Sequence, residues 1–364
     1  MRQRSRRALS LLLTLCMIAG FFPGGIVITA RAAENVSYLD ADGATRTAAS
    51  ATEVTSDSTA WESGWYVVND EVTIGSRVSV TGEVHLILAD GAHLTASGGI
   101  NVGGGNSLTI YAQSTGDGMG KLSATGGNDE AGIGGNSRQS GGAITINGGA
   151  VTATGGGYDG AGIGGGYDGA SGAITINGGV ITATGNRAAG IGSGTYAVVS
   201  EITINGGTVT ANSNRGAGIG DGYFGNQYDA TSGVITINGG SITANGGDAG
   251  IGGANDGKKG SINLSWTEAT KEEMFVSASS YGGTVTLQKA FCIEGEAAPL
   301  NPETISNANE KKSFRVTYTV GAISLPLAIP PLRRLVSTMT AFTITSLTMG
   351  QSPKPCKSVY RKVS

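Results

Sequence analysis

The chain has 364 residues, 63 of them glycine, with 14% charged residues and a formal net charge of −3. Residues 33–320 alone carry −14, because five arginines fall in the first 32 residues and six Lys/Arg with no acids fall in 321–364. An acidic body lacks the basic footprint that phosphate binding needs, which excludes nucleic acid as a partner. Cys16, Cys292 and Cys356 are too few and too scattered for a disulfide framework, so stability must come from packing.

In chain order, Arg2, Arg4, Arg6 and Arg7 precede a largely apolar run from Leu9 to Ile28, followed by Ala30-Arg31-Ala32. This pattern predicts a secretory signal peptide over 1–32, and Pro23, Gly24 and Gly25 interrupt the run too early for a membrane span. Residues 33–63 are expected to be an N-terminal linker. Residues 64–107, with Trp65-Tyr66-Val67-Val68, Val84 to Leu88 and His93 to Ala96, read as an N-terminal cap and first coils built from longer apolar strands.

Residues 108–266 repeat themselves. Ile-Thr-Ile-Asn-Gly-Gly begins at Ile144, Ile174, Ile202 and Ile235, and Ala-Gly-Ile-Gly keeps the same beat with Ile133, Ile163, Ile191, Ile219 and Ile251. Self-similarity at this period marks a solenoid. Within each repeat the residues alternate as strands do, with Ile144 and Ile146 inward and Thr145 outward, then Val151 and Ala153 inward and Thr152 and Thr154 outward. Three short strands per turn of about 28–30 residues predict an all-β, right-handed parallel β-helix. Asn147, Asn177, Asn205 and Asn238 fall in one column before Gly-Gly, where stacked amides can bond along the axis. The column is expected to stop at Tyr111 and Ser265.

Residues 267–320 are expected to cap the far end, with Thr284 to Leu287 and Phe314 to Tyr318 as closing strands. Residues 321–364 hold five of the eight prolines and no acids, and read as a low-order basic tail.

The wording Gly64-Trp65-Tyr66-Val67-Val68, Leu86-Ile87-Leu88-Ala89-Asp90-Gly91 and Ser107-Leu108-Thr109-Ile110-Tyr111, followed by the Gly-rich repeats, resembles the Gly-rich β-helical surface proteins secreted by Gram-positive anaerobic bacteria. Their fold is similar to the pectate-lyase-like β-helix. The resemblance implies a secreted protein, extracellular or associated with the cell surface, and no defined reaction.

That scaffold hosts both enzymes and binding modules, so chemistry is argued from residues. Asp129, Glu130, Asp159, Asp168, Asp221, Asp229 and Asp248 all lie in turns. No strand carries the opposed carboxyl pair that glycoside cleavage uses, and no catalytic residue is assigned. His85 and His93 read as exposed strand or turn residues. The aromatics that carry a binding hypothesis sit in the variable inserts, and the predicted ligand-contacting set is Tyr158, Asp159, Tyr167, Asp168, Tyr223, Phe224, Tyr228 and Asp229. The reading is a monomeric, non-enzymatic adhesion module contacting an extracellular glycan or cell-surface component. A polysaccharide-active enzyme is the rival. Outward threonine columns raise ice binding as a weaker one, since Asn212 and Asn245 interrupt the array. No cofactor is assigned. Gly157-Tyr158-Asp159-Gly160 and Gly166-Tyr167-Asp168-Gly169 could offer oxygens to Ca²⁺, although Asp-Gly also simply makes good turns, which is the favoured reading.

Overall fold

A computed structural model of the chain describes residues 31–225, 231–253, 260–270, 273–293, 303–305 and 313–315. The expected signal peptide up to residue 30 and the basic tail lie outside them. Eight three-strand coils run from Gly64 to Gly282 as a right-handed parallel β-helix. Each coil gives one strand to a first sheet (Ala143–Ile146 in the fourth coil), one to a second (Ala150–Thr154) and one to a third (Ile163–Gly164).

The register follows the repeat. Ile144 lies beside Ile174, Ile174 beside Ile202 and Ile202 beside Ile235. All four are buried, and so are Ile133, Ile163, Ile191, Ile219 and Ile251 in the third sheet. Burying each such side chain contributes about 1.5–3 kcal/mol. At the first corner, Asn177 Nδ2 donates to Asn147 Oδ1 at 2.7 Å, Asn205 to Asn177 at 2.8 Å and Asn238 to Asn205 at 2.9 Å. The column ends at Tyr111 and Ser265 as expected, but its amides are half-buried rather than buried. A rung of a second ladder was not foreseen: Asn245 Nδ2 donates to Asn212 Oδ1 at 3.0 Å, at the positions where the threonine array breaks.

From the third coil to the sixth, glycine is required in the third wall, where Asn101 and Ser79 hold the same column in the first two coils. Gly134, Gly164, Gly192 and Gly220 have φ of 137°, 133°, 144° and 139°, a region L side chains rarely adopt. A Cβ on any of them would overlap the carbonyl oxygen of the next glycine in the column.

Residues 33–63 are not a linker. Ala32–Leu39 and Thr45–Glu53 form a hairpin on the edge of the first sheet, and Ala60–Trp61 opens the third. The alternation there is between small and polar residues, which hides the strands. Tyr38 packs on Trp65 and Tyr111 with ring centroids 4.7 Å away from each, so the hairpin covers the outer face of the first coils. The far boundary also moves. Phe275–Ala278 and Tyr281–Gly282 complete the eighth coil, and Thr284–Leu287 continues the first sheet in parallel. Among the described residues beyond it, Glu303–Ile305 adds antiparallel to the first sheet, and Ser313–Arg315 pairs antiparallel with both Phe275–Ala278 and Cys292–Ile293, as closing strands do. Aromatic side chains plug both ends: Trp61 at one, and Tyr281, Phe291 and Phe314 at the other. Burial holds the Tyr281 hydroxyl well above the ordinary phenol range.

Candidate functional site

Two loops flank each short third-sheet strand. Ala161 N–H donates to the Gly165 carbonyl at 3.0 Å, Ala189 to Ser193 at 3.0 Å and Ala217 to Asp221 at 2.8 Å. The chain is thereby pinched around each inward isoleucine, and both loops are thrown outward side by side. They then bond across coils. Tyr167 N–H donates to the Asp129 carbonyl at 2.8 Å, Thr195 to Asp159 at 3.2 Å and Tyr223 to Arg187 at 2.7 Å. The result is a second layer of stacked turns lying over the third sheet.

The loop after the strand makes the same turn in four coils. The amides of Gln139, Gly169, Ala197 and Gly225 bond back to the carbonyls of Asn136, Gly166, Gly194 and Gly222 at 2.9, 2.9, 3.2 and 2.9 Å. The third residues of these turns are Arg138, Asp168, Tyr196 and Phe224, with φ of 62°, 55°, 66° and 62°. A turn of this type ordinarily places glycine there. An L side chain in that conformation costs about 1–2 kcal/mol. In a chain this rich in glycine, the strained positions carry a guanidinium, a carboxylate and two aromatic rings.

These side chains form a ridge. Tyr196 and Phe224 stack at 5.4 Å between centroids, Tyr167 meets Tyr196 edge-on at 5.8 Å, and Tyr223 adjoins Phe224 at 3.9 Å. Arginines lie against the rim, with Arg138, Arg187 and Arg215 over the rings of Tyr167, Tyr158 and Tyr223 at 5.9, 5.6 and 5.5 Å. Among the described residues Tyr158 is the most exposed ring, at 63%, and Phe224 is 37% exposed.

The sequence-predicted residues are therefore brought together in part. Tyr158, Asp159, Tyr167, Asp168, Tyr223 and Phe224 all belong to the outer layer, whereas Tyr228 and Asp229 lie outside the described residues. Their roles are not uniform. Asp168 is exposed, but the Asp159 carboxylate is turned toward Arg187 at 3.8 Å and is only 15% exposed. A cation would have to displace that guanidinium. Among the described residues, no three His, Cys, Asp or Glu side chains gather as a metal site would require. Tyr196 joins the ridge although it was not in the predicted set; its place five residues after Ile191, matching Phe224 after Ile219, was the available signal.

Four further groups are engaged within the fold. Asp221 is fully buried, accepts the Val199 N–H at 2.7 Å and accepts a hydrogen bond from Ser232 Oγ, anchoring the root of the longest insert. Arg77 reaches two coils along the axis, donating to the Gly98 and Ala131 carbonyls at 2.9 Å each and to Asn136 Oδ1 at 2.6 Å. Burial lowers its pKa, and Glu130 at 3.4 Å opposes that shift. His85 is not a free strand residue: it stacks on Trp65 at 4.5 Å, and its Nδ1 lies 3.2 Å from the Tyr111 hydroxyl. His93 Nε2 lies 2.9 Å from Ser123 Oγ on the outer face of the second sheet, where the strand amides are committed to the ladder.

Residues 144–167, 174–195, 202–223 and 235–255 match the family model described as Beta helix repeat. The repeats are β-helix repeats. No curated protein and no solved structure matches the chain.

Proposed function

We propose that this chain is a secreted, extracellular or surface-associated β-helix module that acts as a monomer and binds glycans without cleaving them. The observation that carries the reading is the strained column of the outer layer. Tyr196 and Phe224 occupy left-handed turn positions that glycine fills at no cost, and they extend a ridge with Tyr167 and Tyr223. Strain held at a displayed side chain points to selection for that side chain. Rings with neighbouring carboxylates and guanidiniums offer sugars both apolar contact and hydroxyl bonding. The stacked rings of Tyr196 and Phe224 turn much of their faces toward each other, so Tyr158 and the outer side of Phe224 supply the freest ring surface.

The test is a glycan array, neutral and acidic, probed with the wild type and a Tyr196→Ala/Tyr223→Ala/Phe224→Ala variant of unchanged fold. Retention by the wild type and its loss in the variant support the reading. Equal retention places recognition elsewhere. Product release from a polysaccharide by the purified protein, abolished by changing one carboxylate or His93, establishes the enzymatic alternative instead.

A further inference from the structure

We propose a second carbohydrate site, separate from the outer layer: the groove between the tip of the N-terminal hairpin and the head of the asparagine ladder, accepting the end of a neutral sugar chain. The groove has a volume of about 360 Å³ and is walled by the turn at Asp40–Gly43, the loop at Ser114–Gly116 with Met119, and the corners Asn147–Gly149 and Asn177–Val180. That volume lies in the range of small-molecule sites, roughly 300–1,000 Å³.

Its polar groups are divided between those already used and those left over. Asp40 is saturated by Arg46 at 2.8 Å and by the amides of Asp42 and Ala44 at 3.1 and 2.9 Å. Ser114 Oγ donates to Asp90 at 2.7 Å. The Asp42 carboxylate makes no hydrogen bond among the described residues. In the ladder each amide donates to the coil before it, so Asn147 accepts from Asn177 and is the head of the column. The position before it is Tyr111, whose ring is engaged with Tyr38 and Trp65, and Asn147 Nδ2 donates to nothing among the described residues. Asn147 and Asp42 thus line one groove, an amide donor and a carboxylate acceptor with no hydrogen-bond partner for either group among the described residues, with Val180, 44% exposed, as apolar surface beside them and Arg46 within Coulombic reach of the carboxylate. A donor and an acceptor beside a small apolar patch match a ring bearing hydroxyls. Among the described residues no Lys or Arg lines the groove, and Asp42 repels anions, so uronates and phosphates are disfavoured.

Saturation-transfer NMR on the full chain, with N-acetylglucosamine and galactose as probes and galacturonate as the charged control, decides the matter. A neutral probe is expected to bind, Asp42→Ala to weaken it about tenfold through loss of a charged acceptor, and Val180→Arg to abolish it by filling the groove. Both sites are exposed, so thermal melts should match the wild type. The Tyr196→Ala/Tyr223→Ala/Phe224→Ala variant should bind the probe unchanged, which separates this site from the outer layer. No binding of either neutral sugar, equal binding in Val180→Arg, binding lost in the outer-layer variant, or galacturonate bound as well as the neutral sugars would each overturn the proposal.

Discussion

Along the third sheet Gly134, Gly164, Gly192 and Gly220 repeat without a substitution, whereas four residues after each comes Arg138, Asp168, Tyr196 or Phe224. Both columns hold positive φ. In the inner column a Cβ has no room, because the carbonyl of the next coil occupies its place. In the outer column the side chains project from the layer, and the backbone strain is met without a clash. The same conformational demand is therefore answered by glycine where the coils stack and by large side chains where the surface is displayed. Scaffold and displayed surface are separated by a handful of residues in each coil.

The comparison is broken most severely at Gly192. Gly192→Ala should destabilise by about 3–5 kcal/mol, combining overpacking with a strained backbone, as read by chemical denaturation. An unchanged midpoint would mean that the wall can spread. Next is Asn205→Leu, which removes two ladder bonds and should cost about 1–3 kcal/mol, toward the low end because water reaches the half-buried amides. No loss there would assign the corner to its glycines alone.

Asp248, at the foot of the outer layer, gives a pH signature. Burial pushes its carboxyl up to about 6 despite Arg215, and its Oδ2 has no hydrogen-bond partner among the described residues. The folded state holds this proton more tightly than the unfolded chain, whose carboxyl titrates near 3.8, so stability falls as pH rises from about 4 to about 6. Asp248→Asn should raise the melting temperature at pH 7.5 and leave it unchanged near pH 4. Equal melting at both values would place the carboxylate in contact with water. The smallest effect is expected at Phe224→Gly, where relief of about 1–2 kcal/mol of backbone strain offsets the loss of ring contacts worth about 0.5–1.5 kcal/mol. Stability within about 1 kcal/mol of wild type confirms that the outer column is dispensable for folding. A large loss would make it part of the scaffold.

Much of the scaffold was legible because its period is written in residue identity. Ile144, Ile174, Ile202 and Ile235, and the asparagines that follow them, name their own register. The hairpin at 32–53 was not legible. Its outward residues are neither apolar nor repeated, and its place is set by Tyr38 meeting Trp65 and Tyr111 far along the chain. The inserts showed as variable and aromatic, but not as a layer. Their bonds run backbone to backbone, as from Tyr223 N–H to the Arg187 carbonyl, and such bonds leave no trace in side-chain identity. Asp221 read as one more turn carboxylate, since burial and the contact with Ser232 are tertiary facts.

Hydrogen exchange on the protein with and without a retained glycan tests the separation of scaffold from recognition most directly. The amides of 156–159, 166–168, 194–197 and 222–225 should gain protection on binding, while the threonine strands of the first and second sheets exchange as before. Protection confined to those threonine faces, with the outer turns unaffected, would contradict the assignment of recognition to the strained column.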